Sequence, residues 1–228
     1  MNQTHLRPIR SFVKREGRMT RAQSHALENL LPLYGVTDIS HTIDMDALFP
    51  RQAPRFLEIG FGMGSSLIQM AEARPQHDFL GIEVHRPGVG SLLVAIKEKQ
   101  INNLKVINED AVEVLKQAIP ENSLDGVYLF FPDPWQKKKH HKRRILQHAF
   151  VQQVYRCLKP GGLFHMATDW EDYATVMLET MSTAPGFINT AGNNAYAQRN
   201  DRPETKYERR GQRLGHNVRD LIFQKQAS

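Results

Sequence analysis

From residue 55 onward, short apolar runs alternate with stretches of helical spacing, and an acidic residue stands in or just beyond each of the first five runs. RFLEIG (55–60), DFLGIEV (78–84), LKVIN (104–108), LDGVYLFF (124–131) and LFHMAT (163–168) read as buried strands. Between and after them, SSLIQMAEA (65–73), VGSLLVAIKEKQ (89–100), AVEVLKQAI (111–119), RILQHAFVQQVYRCL (144–158) and WEDYATVMLETMS (170–182) read as helices. The fourth of these carries Leu146, Phe150, Val154 and Leu158 on one face and is expected to stop at Lys159-Pro160-Gly161-Gly162. Strand–helix alternation with short links predicts an α/β fold, a doubly wound and mostly parallel sheet. NVRDLIFQ (217–224) is expected to add an edge or antiparallel strand. We expect one domain over residues 36–228, preceded by a flexible basic arm, residues 1–35. In that arm, Arg7, Arg10, Lys14, Arg15, Arg18 and Arg21 face the single acid Glu16 up to residue 22, before HALENLLPLYG leads in as a short helix or turn.

The acids are Glu58, Glu83, Asp110, Asp133 and Asp169, at intervals of 25, 27, 23 and 36 residues, each about one strand–helix unit. In a parallel sheet every strand's carboxyl end opens on the same edge, where ligands bind. Any one of these carboxylates is more often a helix cap or a surface group. Five at equivalent positions predict one crevice that suits hydroxyls, amines or positive charge.

The first turn narrows the ligand. Gly60, Gly62 and Gly64 form G-x-G-x-G directly after a strand, allowing a tight turn and close backbone approach. A nicotinamide site prefers G-x-G-x-x-G/A, and Ser65 stands in the last place; the G-K-[ST] of a phosphate-binding loop is absent. Glu83, 23 residues after Gly60, is placed to accept hydrogen bonds from two ribose hydroxyls, and Glu58 to meet an amino group. Together with Asp110 this favours S-adenosylmethionine, which has no phosphate and carries a sulfonium and an ammonium.

After the fourth strand, Pro132 and Pro134 bracket Asp133 and restrict its backbone, with Trp135 beside it. Seen alone, such a triplet is a rigid turn with a packed Trp; at this sheet edge it also offers a fixed carboxylate and a flat surface for a base. Lys137 to Arg144 then follow, eight residues of which six are always charged. We expect Arg143 and Arg144 at the start of the next helix, where cations oppose the dipole by about 0.3–1 kcal/mol each, so phosphate binding explains them better than helix stability. His140 and His141 have no neighbouring Cys or further His, so no metal site is expected.

Composition agrees with a folded domain and a polyanionic partner: 228 residues, 40% hydrophobic, with 30 Lys+Arg against 24 Asp+Glu for a net +6. The single cysteine, Cys157, excludes an internal disulfide or a cysteine cluster. No apolar run approaches the ~20 residues of a membrane span, and MNQTHLRPIRSFVKREG lacks the apolar core of a secretion signal. A soluble, cytoplasmic protein is expected.

The motifs EIGFGMG (58–64), GIEVHRPGVG (81–90), NEDA (108–111), FPDPWQKKKHHKRR (131–144), ATDWEDYA (167–174) and RPETKYERRGQRLGH (202–216) resemble those of the bacterial tRNA (guanine-N7-)-methyltransferases. That resemblance implies the seven-stranded, Rossmann-like methyltransferase sheet with an antiparallel last strand. It implies methyl transfer from S-adenosylmethionine to N7 of a guanine in the tRNA variable loop, without a metal. It also implies cofactor binding by Glu58, Glu83, Asp110 and Asp133 at the Gly60–Gly64 turn, and substrate binding by Lys137, Asp169, Thr205, Lys206, Tyr207 and Glu208. RNA contacts are implied for Lys139, His140, His141, Lys142, Arg143 and Arg144. Monomer and homodimer are both compatible with it.

Guanine N7 has an in-plane lone pair and no proton to lose, so no general base is needed. Asp133 and Asp169 are expected to act as catalytic positioners, with Glu208 a further candidate and Trp135, Trp170 and Tyr207 the aromatic candidates for stacking. Other readings weighed are an adenine or other base methyltransferase, whose turn wants two prolines after the polar residue; a cytosine methyltransferase using Cys157; a nicotinamide dehydrogenase; and a non-catalytic RNA-binding module.

Overall fold

The computed structural model describes residues 10–12, 17–199, 202–213, 215 and 217–227, apart from the side chains of residues 206, 207, 210 and 212. Arg7, Lys14, Arg15 and Glu16 of the expected arm, and the side chains of Lys206 and Tyr207, lie outside this description.

The strands are β1 (Arg55–Ile59), β2 (Asp78–Ile82), β3 (Leu104–Ile107), β4 (Leu124–Phe130), β5 (Leu158–Thr168), β6 (Phe187–Asn189) and β7 (Arg219–Lys225). They form one sheet in the order β3-β2-β1-β4-β5-β7-β6. β1 to β5 run parallel, and β7 inserts antiparallel between β5 and β6. The strand NVRDLIFQ thus takes the antiparallel place expected of it, while β6 is an addition that no sequence pattern announces.

The helices are α1 (Arg21–Asn29), α2 (Leu31–Tyr34), α3 (Met45–Leu48), α4 (Ser65–Ala73), α5 (Arg86–Lys99), α6 (Ala111–Gln117), α7 (His148–Cys157), α8 (Glu171–Ser182) and α9 (Lys206–Arg213). They cover both faces of the sheet, which is why every residue of β2 is buried. Alternate strand residues feed two cores. Phe79, Tyr128 and Phe130 pack with α1, α4 and α5, whereas Leu57, Leu80 and Leu129 pack with α3, α6, α7 and α8.

Residues 20–35, assigned to the arm from sequence, pack against the domain. Thr20 and Gln23 close a capping box on α1, satisfying the first free N–H groups of the helix. Ala26, Leu27 and Leu30 are buried, and Gly90 admits the backbone of Gln23, whose carbonyl oxygen lies 2.7 Å from where a Cβ would stand.

α7 ends at Cys157, at the stop expected from Lys159-Pro160-Gly161-Gly162, but the strand read as 163–168 begins earlier: these four residues belong to β5, which starts directly after α7 and accommodates Gly161 at φ +81 beside a register shift in β4. Arg143 and Arg144 do not open the next helix. Residues Lys138–Arg143 form a 3-10 helix and α7 begins at His148, because Arg144 turns inward and the Leu146 N–H donates to the Tyr173 hydroxyl at 3.3 Å.

Candidate active site

The parallel strands bring the glycine turn and the acids to one edge. Gly60 and Gly62 have φ of +76 and +60, a region side chains avoid, and a Cβ at either would meet nothing within 4 Å. The turn therefore presents bare backbone to open space. It is braced from behind by Gly88 of α5, where a Cβ would stand 2.0 Å from the Gly62 carbonyl oxygen.

Glu83, immediately after β2, accepts the Gly62 N–H on Oε2 at 2.8 Å and the Val84 and His85 N–H groups on Oε1 at 2.7 and 2.9 Å. Three of the roughly four acceptor positions of a carboxylate are thus occupied by backbone, so Glu83 is first a latch on the turn. Asp110 caps α6 by accepting the Val112 N–H at 3.1 Å. Glu58 is buried beneath the turn, where Ser66 Oγ donates to Oε1 at 3.2 Å and Oε2 meets no partner among the described residues. Burial raises its carboxyl to about 7; the Ser66 hydrogen bond opposes the shift and the Glu83 charge adds to it.

A cavity of about 230 Å³ is lined by Gly60, Gly62, Glu83, Asp110, Phe130 and Asp133, among others, with Ser11 and Phe12 at its wall. Three of the five strand-end acids, Glu83, Asp110 and Asp133, thus line one cavity. Asp169, directly after β5, is not among the residues lining this cavity and lies against α9, where a Cβ on Gly211 would stand 3.0 Å from its Oδ2.

Asp133 stands between two non-glycine residues in left-handed backbone, Phe131 at φ +51 and Trp135 at φ +47. Such residues cost on the order of 1–3 kcal/mol each and persist where surroundings enforce them. The Phe131 N–H donates to the Ala167 carbonyl at 2.7 Å, and Arg144 Nε donates to the Pro134 carbonyl at 2.9 Å. Trp135 Nε1 donates to the Ser11 carbonyl at 3.1 Å, and the Arg143 guanidinium lies 4.2 Å from the Trp135 ring centre. Arg143 also donates to the carbonyls of Arg10 and Phe12, at 3.1 and 3.2 Å, tying this short segment across the site.

The basic run divides. Lys137, Lys138, Lys139 and Lys142 are exposed, His140, His141 and Arg143 are half-buried, and Arg144 is 3% exposed. Burial and the surrounding cations lower the His140 pKa. Arg144, for which an RNA contact is expected, turns its side chain into the protein over the Tyr173 ring. Glu208, expected at the substrate, is buried in ion pairs with Arg202, at 2.5 Å, and Arg199, at 3.3 Å. Thr205 caps the start of α9, its hydroxyl accepting the Glu208 N–H at 3.1 Å.

Arg202 is the group that reading the sequence missed. It donates to both oxygens of Asp220, at 2.6 and 2.8 Å, and to Glu208, while His165 Nε2 lies 2.8 Å from Asp220. A charged Asp220 inside an apolar strand was the available signal. Burial would raise the Asp220 pKa, but the Arg202 and His165 hydrogen bonds and charges outweigh it and hold it at about 2. Among the described residues, no three His, Cys, Asp or Glu are grouped as a metal site, and no helix is long and apolar enough to cross a membrane.

A family model described as "Putative methyltransferase" matches residues 52–221. The tRNA (guanine-N(7)-)-methyltransferase of Hydrogenovibrio crunogenus is 55% identical over 222 residues, covering 97% of this chain and 92% of that protein. The Alcanivorax borkumensis protein of the same name is 56% identical over 223 residues, covering 97% and 93%. The crystal structure of the 16S rRNA methyltransferase KamB superposes with a TM-score of 0.60 at 14% identity, over 82% of this chain and 95% of that one, a likeness of fold alone. With a match that runs through the glycine turn, the Asp133 turn and the strand after α9, the chain belongs to the tRNA (guanine-N(7)-)-methyltransferase family.

Proposed function

We propose that this protein transfers a methyl group from S-adenosylmethionine to N7 of a guanine in the variable loop of tRNA, in the cytoplasm. The observation that carries this reading is the shared cavity, in which Glu83, Asp110 and Asp133 face the bare backbone of Gly60 and Gly62. The residues present fit the donor. Open space over both glycines suits a close-lying ligand, and the unpartnered, buried Glu58 Oε2 suits a cationic amine. When bound, the donor supplies an electrophilic methyl group on a positively charged sulfur.

The protein's part is placement and charge. Glu83 keeps the turn closed and retains acceptor capacity toward a hydroxyl. Asp133, fixed between two prolines and two strained residues, provides a carboxylate at the cavity mouth. Guanine gains positive charge as N7 is alkylated, and a carboxylate on the ring's N–H edge favours that change. Alignment of two reactants contributes as much as ~7–11 kcal/mol in favourable cases. Asp169, beside α9, is the second positioner in this reading. In this reading Lys137, Thr205, Lys206 and Tyr207 bind the substrate, and Lys139, His140, His141, Lys142 and Arg143 contact the RNA. Exposed lysines beside the Asp133 turn give tRNA a cationic landing surface.

Incubating the full chain with methyl-labelled S-adenosylmethionine and bulk tRNA, followed by nucleoside analysis, tests the reading. Label in 7-methylguanosine is expected. Label in a methyladenosine, or tRNA binding without label transfer, overturns it in favour of another base methyltransferase or an RNA-binding module.

A further inference from the structure

Arg144 ends a run of cations, yet it is the only arginine or lysine of that run that is buried. Its guanidinium lies 4.6 Å from the ring centre of the fully buried Tyr173. Nε donates to the Pro134 carbonyl at 2.9 Å, and Nη2 donates to Asp172 and lies 3.2 Å from His141 Nε2. A planar fork with fixed directions can serve a carbonyl, a carboxylate and a ring face together, which an ammonium cannot do.

Pro134 is the residue after Asp133. Pro132 and Pro134 have no N–H, so these two positions cannot donate backbone hydrogen bonds to fasten the turn. Its entry is fixed by the Phe131 N–H on β5, but its exit runs through left-handed Trp135. We propose that Arg144 is a positioning residue for Asp133, holding the exit of the strained turn by the Pro134 carbonyl, and that it acts through the turn rather than on tRNA phosphate. This rests on the reading that Asp133 takes part in methyl transfer.

The test compares Arg144→Lys with the wild-type chain in three measurements: single-turnover methyl transfer at saturating tRNA and S-adenosylmethionine, tRNA affinity across a salt series, and S-adenosylhomocysteine affinity by calorimetry. Displacing a catalytic group by about an ångström costs on the order of a hundredfold, so a rate loss of roughly ten- to a hundredfold is expected. The tRNA affinity and its salt slope should stay at wild-type values, and S-adenosylhomocysteine affinity should weaken severalfold because Asp133 lines its cavity. A wild-type saturated rate combined with weaker tRNA binding, and a salt slope reduced by about 0.7–0.9, the loss of one phosphate contact, overturns the proposal.

Should Arg144→Lys fail to fold, Asp172→Asn loosens the same guanidinium from an exposed position. It should lower the saturated rate without changing tRNA affinity, and an unchanged rate overturns the proposal. Absence of 7-methylguanosine with the wild-type chain is a separate outcome that overturns the underlying functional reading.

Discussion

Glu83 Oε2 accepts the Gly62 N–H at 2.8 Å, so the acid beyond β2 closes the turn beyond β1. The glycines supply the permitted backbone and the carboxylate selects one conformation of it. Glu83 therefore braces the turn, and under the proposed function it would also offer an acceptor to the methyl donor.

Removing that latch should cost affinity before it costs fold. Glu83→Ala leaves three backbone N–H groups without their acceptor, at about 1–3 kcal/mol for each that water does not reach. We expect S-adenosylhomocysteine binding to weaken by at least tenfold in calorimetry, with Glu83→Gln intermediate because its amide keeps one acceptor oxygen. Wild-type affinity in Glu83→Ala would show that the turn holds itself.

Glu58 predicts an unusual pH dependence of stability. Its ordinary carboxyl value is 4.5 and burial raises it to about 7 in the folded chain. Between those values the folded state holds a proton that the unfolded state has released, so this contribution falls as pH rises. It is fully present below 4.5 and lost above about 7, a change of about 3 kcal/mol at 1.36 kcal/mol per unit. Denaturant unfolding at a series of pH values should show a decline across that window which Glu58→Gln abolishes. Parallel wild-type and Glu58→Gln profiles would contradict it.

Arg202 predicts a large stability loss. Arg202→Met leaves Glu208 and Asp220 as buried carboxylates deprived of their main cation, and breaking such a pair typically costs about 3–5 kcal/mol. Because Arg202 and His165 hold Asp220 at about 2 against its burial, their stabilisation is present above the ordinary 3.8 and lost as pH falls through about 2. The gap between wild type and Arg202→Met in urea unfolding should therefore be wide at neutral pH and narrow in acid. A gap that does not change with pH would place the loss in packing instead.

The parts that were legible are those that depend on local pattern. The residues of β2, all buried, read as a central strand because helices cover both of its faces. The strand-end acids read as one group because parallel strands share a carboxyl edge. What each carboxylate does was not legible, because it depends on partners that arrive from distant segments. Glu208 is spoken for by Arg202, and Glu83 by the turn 21 residues before it. Arg144 shares its charge and spacing with exposed neighbours, and only the arrival of Tyr173 and the Pro134 carbonyl turns it inward. β6, three residues long, has no periodicity and is defined by its pairing with β7.

The division between a carboxylate-lined cavity and a cationic surface is tested most directly with Asp133→Asn, an isosteric change that removes one negative charge from the cavity mouth. Single-turnover methyl transfer and tRNA dissociation constants should be measured on the same preparation. We expect the rate to fall by about a hundredfold or more, the scale on which single preorganised electrostatic groups act, while the tRNA constant stays within about twofold, since phosphate contacts dominate it. Equal losses in rate and in tRNA affinity would contradict the account, showing that Asp133 holds the RNA or the fold and not the reacting base.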